Sequence, residues 1–166
     1  MSIDPLSLNA QHWESGATAL HIASLRGHVG VVEELLRFGA DPNVRDVCGL
    51  TALHWGAAYE DVLLALLSPA LGAASQGANL LAVRSQGDES ALHFSAYHGA
   101  SECCAALLAA GAEAAPKDVC GATPLHLAAS LGHGACVEAL LAFRASSVVR
   151  DRAGNRCAPV PQPGVV

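Results

Sequence analysis

Four tetrapeptides constrain this chain more than any other feature. Thr18-Ala19-Leu20-His21, Thr51-Ala52-Leu53-His54, Ser90-Ala91-Leu92-His93 and Thr123-Pro124-Leu125-His126 begin 33, 39 and 33 residues apart. Self-similarity near such a period marks a chain built from repeated supersecondary units, each too small to bury its own apolar face. Nine residues after each start stand Gly27, Glu60, Gly99 and Gly132, and a Leu-Leu pair follows at 35–36, 66–67, 107–108 and 140–141. Gly39-Ala40-Asp41 is echoed by Gly111-Ala112-Glu113, and Asp46-Val47-Cys48-Gly49 by Asp118-Val119-Cys120-Gly121.

The local chemistry of one unit follows from these residues. The leading Thr or Ser can cap a helix by accepting from its otherwise orphan amides. Ala23, Ala57, Ala96 and Ala128 keep that helix thin enough for close neighbours, and the chain has 33 alanines in 166 residues. Glycine at 27, 99 and 132 suits a tight turn between two antiparallel helices. The second helix of the first unit carries Val31, Val32, Leu35 and Leu36, spaced for one buried face. Gly39 and Gly111 end that helix, and a polar hairpin leads on. With 52% apolar residues the chain can fill a core, which excludes a disordered polypeptide.

From roughly Trp13 to Asn155 this pattern resembles the ankyrin repeat family, and the stretch TPLHLAASLGH from Thr123 to His133 is close to the family pattern. The resemblance implies an all-α ankyrin-repeat solenoid of stacked helix-turn-helix units joined by hairpin loops. It divides the chain into an N-terminal arm or remnant of a preceding repeat (1–13), repeats at 14–46, 47–85, 86–118 and 119–150, a partial repeat at 151–158, and a Pro-rich mobile tail at 159–166.

Departures from the pattern carry their own expectations. In the second unit the Leu pair comes two residues early and the following loop is longer, with an insertion around 68–78 read as a surface excursion. Closing a loop of doubled length costs only about 0.6 kcal/mol, against ~2–5 kcal/mol for one core Leu cut to Ala, so the stack should survive. Asp88 stands where Gly49 and Gly121 stand, which predicts a deformed third hairpin. Arg144 replaces the helix-ending glycine, which predicts a strained or rebuilt turn. Neither end carries an obvious polar cap, so the chain is expected to belong to a longer array or to pair with a partner at one end.

Several function classes are disfavoured. Nine Lys and Arg against fifteen Asp and Glu give a formal charge of −6, the wrong sign for tracking phosphates. The uncharged run from Val62 to Val83 contains Pro, Gly, Ser, Gln and Asn, which argues against a membrane span. Met1–Ala10 shows no signal peptide, and six cysteines without CxxC spacing read as reduced thiols of a cytoplasmic or nuclear protein. Cys120, His126, His133 and Cys136 are the best zinc candidates, but every one recurs at a repeat position, so no metal or cofactor is expected. The recurring histidines are better explained by hydrogen bonds to the turn before each helix. No G-x-S-x-G, phosphate loop or HExxH is present, so the chain is not expected to be an enzyme or to take a small-molecule substrate. Trp55, aligned with Ile22, Phe94 and Leu127, reads as core, and Asn43 as a turn residue.

What the resemblance implies is a protein partner held on a concave face of hairpin tips and first helices. Leu25-Arg26, Ala58-Tyr59, Tyr97-His98 and Ser130-Leu131 fall seven and eight residues after the caps, and both tyrosines of the chain are among them. Tyr and Arg are frequent interface anchors. The candidate partner-binding set is Leu25, Arg26, Val47, Cys48, Tyr59, Glu89, Tyr97, His98 and Leu131, with Tyr59 and Tyr97 at its centre. Two alternatives stay open: a structural or regulatory segment of a larger polypeptide whose activity lies elsewhere, and, more remotely, a zinc-binding protein.

Overall fold

The computed structural model describes residues 8–68 and 80–143. Among them four helix pairs follow in order. They are α1 (Ala19–Leu25) with α2 (Val29–Arg37), α3 (Ala52–Trp55) with α4 (Glu60–Leu67), α5 (Ala91–His98) with α6 (Ser101–Ala109), and α7 (Pro124–Ser130) with α8 (Gly134–Ala142). First helices pack on first helices and second helices on second helices, so the pairs stack side by side as an all-helical solenoid. The partial repeat, the tail, Arg144 and most of the 68–78 insertion lie outside the described residues.

Each first helix starts the same way. The hydroxyl of Thr18, Thr51, Ser90 or Thr123 accepts from the backbone three residues on, and the histidine there accepts from the capping residue's own N–H. Two orphan donors are thereby satisfied at every start. Leu20, Leu53, Leu92 and Leu125, one place before the histidines, are buried, as are Val32, Leu36, Leu63, Leu66, Leu107 and Leu140 on the second helices. They form one continuous cluster through all four pairs. Each such Leu contributes about 1.5–3 kcal/mol by burial, and none could be covered within its own unit. Val31 is the exception in its stripe, at 51% exposure, whereas Cys103 and Cys136 at the same register are buried in the cluster.

Hairpins join the pairs and are themselves stitched together. Val47 N–H donates to the Ser15 carbonyl (3.1 Å), Gln86 N–H to Cys48 (2.9 Å) and Val119 N–H to Gly87 (3.0 Å), one link per neighbouring pair. Inside two of the hairpins a single carboxylate oxygen holds the turn: Asp46 Oδ1 accepts from Cys48 and Leu50 N–H, and Asp118 Oδ1 from Cys120 and Ala122 N–H, all at 2.8 Å. The expected deformation of the third hairpin is not found. Asp88 adopts φ 58, the left-handed region that Gly49 and Gly121 occupy, and the Asp88 N–H to Ser85 carbonyl bond (3.1 Å) matches its counterparts. Ser85 Oγ, accepting from Gly87 and Glu89 N–H at 3.1 Å, replaces the missing carboxylate. Asp tolerates the left-handed region better than most residues.

Unit two is where the stack departs from regularity. Its first helix has 4 residues against 7, 8 and 7 in the others. Gly56 ends it, and a Cβ there would sit 2.7 Å from Val62 Cγ1, so glycine lets α4 close in on α3. Leu80, in a short 3-10 turn (Leu80–Ala82), is buried in the core cluster.

Candidate functional site

His21 and His93, two of the four cap histidines, do more than bond the preceding turn. The N–H of Thr18 donates to His21 Nδ1 (3.1 Å), so that nitrogen carries no proton, and the neutral ring must hold its proton on Nε2. His21 Nε2 then donates to the Leu50 carbonyl of the next unit (3.1 Å). His93 repeats this with Ser90 N–H (3.1 Å) and the Ala122 carbonyl (3.2 Å). His54 has the Thr51 bond (3.2 Å), but its buried Nε2 makes no hydrogen bond. Burial holds the imidazoles of His21 and His93 below their ordinary range and pushes His54 down to about 4. The neutral rings of His21 and His93 serve as structural bridges between units.

Ile22, Trp55, Phe94 and Leu127 do not belong to the core as expected. Ile22 is 51% exposed and the other three are half-buried. Trp55 packs edge-on against His21 of the preceding unit (5.5 Å between ring centres) and Phe94 against His54 (5.7 Å), which leaves part of each ring on the first-helix face. The Trp55 indole N–H donates to Asp46 Oδ2 (3.0 Å), which fixes the ring's orientation. Sequence position alone gave no sign of this half-exposure.

The shortened α3 opens a notch in that face. It has a volume of about 220 Å³ and is lined by Leu25, Leu50, His54, Trp55, Phe94 and His98, contributed by three successive units. A full-length α3 would carry one more turn here.

The nine candidate residues fall in four places. Leu25 (47% exposed) and His98 line the notch. Arg26 and Leu131 are exposed at the C-terminal ends of α1 and α7, and Tyr97 is exposed with its ring edge-on to His98 at 5.4 Å. Val47 and Cys48 project from the second hairpin tip; Glu89, on the third hairpin, is half-buried and accepts from Ser85 Oγ (3.0 Å). Tyr59 is corrected. It does not share the register of Arg26, His98 and Leu131 but caps α4, the place of His28, Ala100 and His133 on their second helices. Its ring covers the Gly27 turn, where a Cβ would meet Cδ1 and Cε1 at 3.0 Å. With Gly27, Glu60, Asp61, Glu102 and Cys103 it lines a separate concavity of about 320 Å³. His133 does the same work on Gly99 and donates to the Tyr97 carbonyl (3.1 Å).

The buried cysteines offer little chemistry. Cys103 and Cys104 are buried, and desolvation pushes the Cys103 thiol up to about 11 and the Cys104 thiol higher still. Such thiols stay protonated and poorly nucleophilic. Among the described residues no three His, Cys, Asp or Glu side chains converge on a common point, and no helix is long and apolar enough to cross a membrane.

Known proteins place the chain. A family model described as ankyrin repeats in three copies matches residues 71–151, and one described as ankyrin repeats in many copies matches residues 5–54. A probable E3 ubiquitin-protein ligase, XBOS33 of Oryza sativa subsp. japonica, is 36% identical over 104 residues, 58% of this chain and 18% of that protein. Protein phosphatase 1 regulatory subunit 12A of Mus musculus is 40% identical over 52 residues, 29% of this chain and 5% of that protein. Palmitoyltransferase AKR1 of Kluyveromyces lactis is 41% identical over 59 residues, 36% of this chain and 8% of that protein. The chain thus matches less than a fifth of the length of each of these relatives. Repeats of this kind are generally non-catalytic protein–protein interaction modules. With the capped helix pairs, the stitched hairpins and the two family matches in agreement, the chain belongs to the ankyrin repeat family.

Proposed function

We propose that this chain is a non-catalytic module that holds a protein partner along the concave face built from its first helices and hairpin tips. The notch over α3 carries the proposal, because apolar side chains of three units meet there partly exposed. Leu25, Arg26, Tyr97, His98 and Leu131 from the helix ends, with Val47, Cys48 and Glu89 from the hairpins, form the contact set; Tyr59 is its outlying member. Isolated exposed apolar residues are ordinary, but a contiguous apolar concavity marks a place where surface is to be buried. The partner is a protein, with nucleic acid disfavoured by the charge of −6 and no membrane or small-molecule role assigned. The compartment proposed is the cytoplasm or nucleus, in keeping with free Cys48, Cys103, Cys104, Cys120 and Cys136.

Pull-down with this chain as bait, repeated with Tyr97→Ala and Leu131→Ala, tests the face. Partners that bind here lose about tenfold or more in affinity on truncation of a central anchor; partners indifferent to both changes, and to Leu25→Ala, place the interface elsewhere. The small share of each relative that the chain matches favours a second reading, in which the chain is a regulatory or structural segment of a larger polypeptide whose activity lies outside it.

A further inference from the structure

We infer that the notch selects for one bulky apolar side chain followed or preceded by a carboxylate, supplied by an extended segment of the protein partner. This deepens the proposed function and rests on the first-helix face being the binding face. The apolar half of the claim comes from the walls: Leu25, Leu50, Trp55 and Phe94 supply hydrocarbon, and His54 Nε2, which makes no well-formed hydrogen bond, is buried out of reach of an incoming group. The Trp55 indole N–H is held by Asp46, and His54 Nδ1 by Thr51. Filling such a site with a polar group would forfeit that group's hydrogen bonds to water, so a Leu, Phe, Met or Trp side chain suits it.

The acidic half comes from charge complementarity at the rim. The row of residues at the ends of the first helices reads Arg26 in unit one and His98 in unit three. Unit two contributes nothing to it, because Tyr59 is turned onto Gly27. His98 thus lines the notch, and Arg26 follows directly on Leu25 of its wall. Arg26 is exposed and forms no ion pair among the described residues, and an imidazole offers at least one N–H donor in either protonation state. Asp46, the carboxylate that touches the notch wall, has one oxygen on the Cys48 and Leu50 amides and the other on Trp55. Glu60, Asp61 and Glu102 line the other concavity. On a chain of net charge −6 this rim stands out as the place where an approaching carboxylate finds unpaired donors, while the nearby acids Asp46 and Glu89 already accept from Trp55 and from Ser85.

A random peptide library displayed on phage and selected on the full chain tests this. Enriched peptides, remade synthetically, are measured by fluorescence anisotropy against the parent and five surface variants: Leu25→Asp, Arg26→Glu, His98→Glu, Val47→Asp and Leu131→Asp. Unchanged circular dichroism and melting confirm that each variant folds. The inference predicts a shared pair of bulky apolar and acidic residues. It predicts about tenfold weaker binding to Leu25→Asp, and weaker binding to Arg26→Glu that is recovered when the peptide's acid is replaced by lysine. Peptides lacking the pair, or indifferent to the first three changes while lost on Val47→Asp or Leu131→Asp, overturn the notch and leave the binding face standing. Peptides indifferent to all five, or no enrichment at all, overturn both.

Discussion

A histidine at the third position of every first helix serves two hydrogen-bonding purposes in units one and three, and only one of them in unit two. His21 and His93 accept from their own cap and donate to the next unit's carbonyl, whereas His54 Nε2 is buried without a hydrogen bond. All three imidazoles are pushed below the unfolded value of 6.5, chiefly by burial. Above about pH 6.5 both the folded and unfolded chains hold them neutral, and stability does not depend on their titration. Below it the unfolded chain takes up protons that the folded chain refuses, so stability falls as pH drops through the window between 6.5 and the folded values. For His54, with a folded value of about 4, the loss by pH 4 is roughly 3 kcal/mol. Urea denaturation across this range should therefore show stability declining with acidity, and His54→Gln should flatten the decline. A pH-independent midpoint between 7 and 4.5 would count against the neutral bridges.

Among the elements, the turns after the first helices show how unit-to-unit packing reads back on local conformation. Gly99 takes φ 73 and Gly132 φ 76, both left-handed. Around Gly132 there is open space, but a Cβ on Gly99 would lie 2.8 Å from His133 Nδ1. Gly132→Ala should thus cost only the conformational strain of about 1–2 kcal/mol. Gly99→Ala should cost more, because it also displaces the ring that bonds the Tyr97 carbonyl; equal losses in melting experiments would contradict this packing. The glycines and caps were legible from the sequence because they answer to backbone rules that hold in any context. The register of Tyr59 was not. Counting forward from Thr51 reveals that two residues are missing before the Leu pair but not where they are missing, and the deletion falls in the first helix, converting an expected face residue into a cap of the second. Trp55, Phe94 and Ile22 were misjudged for a related reason. An apolar residue between two buried positions reads as core, while its true exposure is set by how far the neighbouring unit's helix extends over it.

On the scale of the whole molecule, stability in a stacked array is a sum of unit and nearest-neighbour terms, so the thinnest interface decides where cooperativity breaks. Units one and two share the His21 bridge and the Ser15–Val47 link; units three and four share the His93 bridge, the His133–Tyr97 bond and the Gly87–Val119 link. Between units two and three His54 Nε2 makes no well-formed bond to the neighbouring unit, and the four-residue α3 offers α5 little surface. What holds there is the α4–α6 packing and a set of polar links: the Cys48–Gln86 backbone bond, the Gln86 side-chain amide donating to the Val47 carbonyl (2.6 Å), Arg45 donating to the Arg84 carbonyl, the Arg84–Glu113 ion pair (2.7 Å) and the Ser95 hydroxyl donating to the Ala57 carbonyl (2.8 Å). The array should therefore open as two blocks, α1–α4 and α5–α8. Hydrogen exchange followed by mass spectrometry at rising denaturant checks this: amides of the two blocks should reach full exchange at separate denaturant concentrations, with each block internally synchronous. Ser95→Ala, which removes one of these links between the blocks, should widen the separation. Exchange of all eight helices in one concerted step would mean that the α4–α6 packing and these links couple the halves as tightly as the bridged interfaces do. The notch would then be a local absence of side chains with no effect on how the array opens.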